Sequence, residues 1–249
     1  MNIIEIENLC HRFADGTVGL DGIHLNIRRG SFVVVAGPNG SGKTTLLRHL
    51  NGLLLPTEGC VRLAGVSVAQ DPARARRLVG MVFQDADSQI VGETVYEDVA
   101  FGPQNLRLDH NEIDIRVAQA LKTVGLAKIR DQRPHLLSGG EKRRLAIAGI
   151  LAMQPRVIVF DEPFSSLDYP GVQQVLQNIL KLHRCGHTIV VSTHDLEKII
   201  AHANRLILMH RGRVVHDGTP AEVMTEVENF GVRQPCAMRL GQEVASWLS

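Results

Sequence analysis

The sequence predicts an α/β fold in which a mixed, mainly parallel sheet carries a helical block inserted in its middle. Three observations lead there. The runs Phe32–Ala36, Val79–Phe83, Val157–Phe160 and Thr188–Val191 are apolar and rich in β-branched residues, as expected of strands buried on both faces. The stretch from about 94 to 152 changes to helical patterning, with helices near 94–106, 111–124 and 140–152. Further helices near 43–51 and 171–183 alternate with the apolar strands, the order of parallel βα units.

The remaining elements follow in chain order. Ile4, Ile6 and Leu9 begin an alternating strand, and Ile23, Leu25 and Ile27 alternate again before the turn Arg28-Arg29-Gly30. Pro56-Thr57-Glu58-Gly59 reads as a turn ahead of a short strand, Val61–Ala64. Arg205–Met209 and Arg213–His216, joined through Arg211-Gly212, read as a terminal hairpin. Residues after about 226 form a tail with Pro235 and an apolar, helix-like end: Met238, Leu240, Val244, Trp247 and Leu248. No repeat and no low-complexity tract interrupts this order.

Composition narrows the class. With 249 residues, 44% of them hydrophobic, the chain can bury a sizeable core. Lys and Arg total 27 against 26 Asp and Glu, a balance that argues against a nucleic-acid-binding surface. The run Arg74, Arg76 and Arg77 reads as a solvated helix face. Cys10, Cys60, Cys185 and Cys236 lack paired spacing and read as free thiols. His183, Cys185 and His187 cluster locally but lack a zinc pattern, so a polar loop is expected there. No apolar run approaches the roughly 20 residues of a membrane helix, and MNIIEIENL does not read as a secretory leader. The expectation is a protein that is soluble or held at a membrane by a partner.

The first chemical motif is Gly37-Pro38-Asn39-Gly40-Ser41-Gly42-Lys43-Thr44-Thr45, which fits G-x-x-x-x-G-K-[ST]. Its glycines let backbone N–H groups turn inward onto phosphate oxygens, and the following helix start favours an anion. Lys43 can reach the terminal phosphates, and the Thr44 hydroxyl can ligate Mg²⁺. A P-loop alone leaves kinases, GTPases and many ATPases open. Asp161 and Glu162 end a buried strand, on the side of an open sheet where ligands bind. Asp161 is placed to hold Mg²⁺ and Glu162 to accept a proton from an attacking water. Leu137-Ser138-Gly139-Gly140-Glu141 precedes an amphipathic helix. Ser138 and Glu141 fit a capping box there, while the glycines offer a second set of N–H groups to phosphate. One chain needs one such cradle per nucleotide; two facing chains would use both.

P-loop, Gln84, Leu137–Gly140, Asp161-Glu162, Ser166-Leu167-Asp168 and His194 stand in the motif order of ABC-transporter ATPases, which the chain resembles over at least residues 3–225. The resemblance implies a P-loop NTPase core with an antiparallel β subdomain and a helical subdomain inserted at about 85–155. It implies one ATPase domain over 1–225, with 226–249 a short tail and candidate dimerisation element. Cofactors would be ATP and Mg²⁺. Phe13 would stack on adenine, where tyrosine is more usual. Gly37 to Thr45 would hold the phosphates, with Thr44, Gln84 and Asp161 at the metal. Lys43, Gln84, Glu162 and His194 would form the catalytic set. Ser138, Gly139 and Gly140 would contact the γ-phosphate held by an opposing cassette, and Asp168 would support that interface. Glu141 stands where glutamine is commonest in the family; it can disfavour closure on a triphosphate, or act as a cap offset by Lys142–Arg144.

Gly80–Val91 and Val95–Leu106, with Ala146–Ala152, are similar to the energy-coupling-factor group, importers of cobalt, nickel or vitamins. That resemblance implies a second ATPase subunit, a transmembrane coupling protein and a substrate-binding membrane protein as partners, at the cytoplasmic face of the membrane. Asp85–Gln89 would border the groove for the coupling protein, or form a solvated loop. A soluble ABC ATPase without a transport role is the rival. DNA-repair and chromosome forms insert long coiled coils between P-loop and signature, and sustained heptads are missing here. Translation-type forms join two cassettes in one chain. Homodimer and heterodimer use the same motifs.

Overall fold

The computed structural model describes residues 1–248. Two sheets share the chain. β1 (Asn2–Arg12) and β2 (Val18–Arg28) pair antiparallel. β3 (Phe32–Ala36) then enters a different sheet and runs into α1 (Lys43–Leu50). The chain returns through β4 (Glu58–Leu63) and the two-residue β5 (Val66–Ser67), so the first sheet is antiparallel, in the order β2-β1-β4-β5.

After α2 (Pro72–Leu78) and β6 (Val79–Val82) come the inserted helices α3 (Val95–Asn105), α4 (His110–Val124) and α5 (Gly139–Ala152). β7 (Val157–Asp161), α6 (Tyr169–Arg184) and β8 (Thr188–Thr193) resume the α/β pattern. The hairpin β9 (Arg205–His210) and β10 (Arg213–Gly218) completes a sheet of order β10-β9-β3-β8-β7-β6. All its pairings are parallel except β9 with β10. The predicted mainly parallel sheet, antiparallel subdomain and helical insertion are therefore present.

The apolar strand runs explain why two cores form. Successive side chains on β3 point to opposite faces. Phe32, Val34 and Ala36 enter the core shared with α3–α6, while Val33 and Val35 enter the core shared with α1 and the antiparallel sheet. β7 divides likewise, with Ile158 and Phe160 on one side and Val157 and Val159 on the other. Every ladder ends at the same edge, so the loops after β3, β6, β7 and β8 converge there. That edge carries the P-loop, Gln84, Glu162 and His194.

Three local expectations fare differently. The basic run at Arg74–Arg77 lies on α2, the solvated helix face expected, with bounds that the predicted order leaves open; Asp71 caps it by accepting from the Arg74 N–H at 2.8 Å, and all three arginines face outward. The tail does not end as a helix. After the single turn α7 (Pro220–Val223), the tail forms a 3-10 turn at Val227–Phe230 and the four-residue α8 (Cys236–Arg239), and Gly241 takes a left-handed φ of 72°. Met238, Val244, Trp247 and Leu248 instead lie against the main core, with the Trp247 ring tilted at 48° to that of Tyr169 and 5.0 Å from it, while Leu240 is exposed. Val227 and Val232 are fully buried in that same core. The histidines beside Cys185 are each used by the fold: His183 meets the Gly30 carbonyl at 2.9 Å and His187 the Pro155 carbonyl at 3.0 Å. No group of three or more metal-ligating side chains occurs among the described residues. All four cysteines are free, and no described helix is long and apolar enough to cross a membrane.

Candidate active site

The loop between β3 and α1 wraps closely enough that side chains are excluded at two points. A Cβ on Gly37 would lie 2.4 Å from the Met209 carbonyl oxygen, and one on Gly42, at a φ of 100°, would lie 2.8 Å from that of Gly19. Both steps require glycine. The loop borders a cavity of about 420 Å³ lined by Phe13, Thr17–Gly19, Asn39–Thr45, Gln84, Glu162 and His194. The structure thus brings the expected base-stacking aromatic, phosphate loop and catalytic candidates into one pocket. Phe13 is exposed at its rim, edge-on to His11.

Inside, Lys43 is 6% exposed. Its ammonium donates to the Gly37 and Pro38 carbonyls at 2.7 and 3.2 Å and stands 3.8 Å from Glu162. Burial pushes its pKa below the usual lysine value, opposed by the nearby carboxylates of Glu162 and Asp161. The Ser41 hydroxyl is buried without a hydrogen-bond partner, a polar atom that a phosphate oxygen would satisfy.

Glu162 leaves β7 with a left-handed φ of 47°, uncommon for a non-glycine residue and typical of functional sites. The turn lets its N–H reach the Ser192 carbonyl at 3.1 Å and aims its side chain back at the P-loop. The carboxylate accepts from the Thr193 hydroxyl at 3.2 Å and from His194 Nδ1 at 2.9 Å. Because a carboxylate can only accept here, Nδ1 of His194 carries the proton. Asp161, 3% exposed, accepts from the Ser192 hydroxyl.

Thr44, Gln84 and Asp161 line an adjoining cavity of about 520 Å³. One carboxylate, one hydroxyl and one amide oxygen fit a Mg²⁺ that takes its remaining oxygens from water and a triphosphate. The donor set therefore matches the metal expected from the sequence.

Ser138, Gly139 and Gly140 lie outside both cavities, largely exposed at the start of α5. Ser138 and Glu141 form the expected capping box: the Ser138 N–H and hydroxyl donate to Glu141 Oε2 at 2.9 and 2.8 Å, and the Glu141 N–H donates back at 3.3 Å. These bonds hold the Glu141 carboxyl below its usual pKa. The basic run does not act as one offsetting group. Arg144 supports the Glu141 charge, whereas Lys142 pairs with Asp87 at 2.5 Å and Arg143 is buried. Asp168 caps α6 through the Gly171 N–H at 2.9 Å and is exposed beside the exposed Ser166.

Sequence reading missed Ser192 and Thr193, which hold the two carboxylates, and Thr17–Gly19 on the cavity wall. Their signal was partial: Ser192-Thr193 closes the apolar run just before His194, and in the structure Ser192 pairs in register with Asp161. Arg143 gave no signal, since a cation in a basic run reads as solvated.

A P-loop cavity at the sheet edge, with a Ser-Gly-Gly helix start exposed on the inserted helical block, is the arrangement expected of the ATP-binding cassette ATPases. Comparison with known proteins agrees. The family model described as ABC transporter matches residues 20–165. The energy-coupling factor transporter ATP-binding protein EcfA of Methanocaldococcus jannaschii is 46% identical over 233 residues, 92% of this chain and 84% of that protein. The structure of cbiO1 from Clostridium perfringens, part of the ABC transporter complex cbiONQ, superposes with a TM-score of 0.83 at 38% identity, covering 92% of each chain. A dimeric bacterial ABC transporter cassette superposes with a TM-score of 0.77 at 31% identity, covering 87% of this chain and 98% of its own. The chain belongs to the ABC transporter family and is an ATPase.

Proposed function

We propose that this chain is the ATP-hydrolysing subunit of an energy-coupling-factor type importer. It would work in a cassette dimer beneath a transmembrane coupling protein and a substrate-binding membrane protein, taking up a transition-metal ion such as cobalt or nickel, or a vitamin. The branch is supported by likeness to EcfA and to cbiO1, whose names place those proteins in such complexes. Under this reading the protein sits peripherally at the cytoplasmic membrane face.

The observation that carries the chemistry is the Glu162 carboxylate, shared among Lys43, Thr193 and His194 at the mouth of the P-loop. A triphosphate entering the cradle competes for Lys43 and His194, because both are cation or N–H donors in reach of its terminal oxygens. Glu162 then loses those partners and can take a proton from water aligned for in-line attack. Thr44, Gln84 and Asp161 would hold a Mg²⁺, which would neutralise charge on the triphosphate. The opposing chain's Ser138–Gly140 and Asp168 complete the enclosure, which excludes water and pre-positions the donors. ATP binding thereby favours the closed dimer, and hydrolysis returns the open one. The tail 226–249 enters this reading as part of the domain of its own chain, with a dimerising role left to test.

Two experiments test the proposal. Glu162→Gln is expected to trap an ATP-bound dimer on size exclusion with turnover lowered by at least about 100-fold; a monomer with full turnover refutes Glu162 as the base. Tagged protein pulled down from detergent-solubilised native membranes is expected to bring a multi-helix coupling protein and a small substrate-binding membrane protein, which mass spectrometry identifies. Recovery of soluble partners alone overturns the importer branch and leaves the ATPase standing.

A further inference from the structure

Arg143 lies one turn into α5, in the basic run that follows the signature, yet it is only 4% exposed. A guanidinium stays charged at any ordinary pH, so burying it is costly unless its donors are filled. Among the described residues Arg143 makes no ion pair; its two terminal nitrogens donate instead to the backbone carbonyls of Phe83 and Gln84, the second at 2.6 Å. Its Nε is buried without a partner, so the whole side chain is committed to this one loop. Lys142 adds an outer tether to the same loop through Asp87 at 2.5 Å.

These contacts join two things that the sequence keeps far apart. Gln84 lines both the P-loop cavity and the adjoining cavity with Thr44 and Asp161. Gly139 of the signature, Gln84 and Arg143 line a third cavity between them. A planar fork on two consecutive carbonyls fixes direction as well as distance, which a point-charge contact cannot do.

We propose that Arg143 is a positioning residue that makes the Gln84 loop and the signature Ser138–Gly140 move together. The proposal rests on the dimer reading above. ATP bound on one chain acts on Gln84, Arg143 carries that displacement to the start of α5, and the signature is thereby placed for the nucleotide on the opposing chain. The first ATP then prepares the second site, and turnover rises steeply with ATP.

The test is the ATP dependence of turnover by the full-length protein and its variants. Wild type is expected to show a Hill slope near 2, since two coupled sites set that ceiling. Arg143→Met keeps the volume and removes the fork. Its slope is expected to fall to about 1, with saturated turnover about tenfold lower and the affinity of the separated subunit for a fluorescent ATP analogue kept within about twofold. Arg143→Lys, with charge but no fork, is expected to fall between. Lys142→Ala removes only an exposed pair and is expected to keep the wild-type slope. An unchanged slope in Arg143→Met, or a loss of subunit affinity equal to its loss of turnover, overturns the proposal. If Arg143→Met fails to fold, an unchanged slope in Arg143→Lys overturns it equally. A wild-type slope of 1 together with a Glu162→Gln protein that stays monomeric overturns the dimer reading and this proposal with it; a cooperative wild type with a cooperative Arg143→Met overturns this proposal alone.

Discussion

The P-loop ahead of α1 and the signature ahead of α5 both stand where the chain turns into a helix, and they differ in how much of the proposed site one chain finishes. Around the P-loop, Lys43, Ser41, Asp161 and Glu162 are all buried, and a strained Glu162 backbone is held by β8. Around the signature, Ser138 and Gly139 are exposed, and among the described residues the side-chain hydrogen-bond partner of Ser138 is Glu141, three residues away. A buried cluster of charges is expensive and persists when the fold over-determines it. An exposed helix cap costs almost nothing. The first cradle is therefore a property of the fold, and the second is one only under the proposed dimer, in which an opposing cassette brings the nucleotide to it.

The largest test of that contrast removes the buried cation. Lys43→Ala is expected to lower turnover by about 1,000-fold, because it takes away a pre-aimed charge in a water-poor cavity. It should also weaken nucleotide binding by the separated subunit. Ser138→Ala is expected to cost about tenfold in turnover while leaving the subunit's nucleotide affinity within about twofold. Equal effects of the two substitutions on subunit affinity would erase the distinction between the cradles. Glu141→Gln is milder still. The amide can keep the cap on the Ser138 N–H while removing a negative charge, so turnover is expected to stay within about threefold of wild type. Complete loss of turnover in that variant defeats the view of Glu141 as a cap.

The smallest effect sharpens the comparison at the level of stability. Asp98 of α3 is 8% exposed and accepts the Val91 and Gly92 N–H groups through one oxygen, at 2.7 and 3.0 Å. Burial raises its carboxyl pKa above the ordinary value. A raised carboxylate pKa means that stability is fullest below the unfolded value near 3.8 and declines as pH rises through the folded value. Asparagine keeps one acceptor for both bonds without the charge. Asp98→Asn is therefore expected to raise the Tm more at pH 7 than at pH 4, by about 2–4 °C, with turnover unchanged. A larger gain at the lower pH contradicts the assignment.

The contrast also explains what could be read from the sequence. The P-loop was legible because every constraint there is local: glycine where backbones meet, a lysine at a fixed offset, a strand before and a helix after. The parallel strands were legible because burial on both faces removes polar residues from the run, as in Val157–Phe160. Helix α2 was legible only as a solvated face at its arginines, without bounds, since Pro-Ala-Arg-Ala-Arg-Arg-Leu buries only Ala75 and shows no apolar stripe, though Asp71-Pro72 marks a helix start. The tail misled for the opposite reason. Its apolar spacing suits a helix, but Tyr169 and the main core offer those side chains a surface that an irregular path covers better. Arg143 was opaque because its partners are backbone carbonyls about 60 residues away, and no sequence pattern announces a carbonyl.

The single O–H of Ser138 is donated to Glu141 Oε2 at 2.8 Å. Under the proposed dimer, a phosphate on an opposing cassette would take that hydrogen bond only as the carboxylate lost it. The contact would then trade one acceptor for another rather than add a bond to the sum. With the first acceptor still three residues away, the trade would run backwards as soon as the phosphate left.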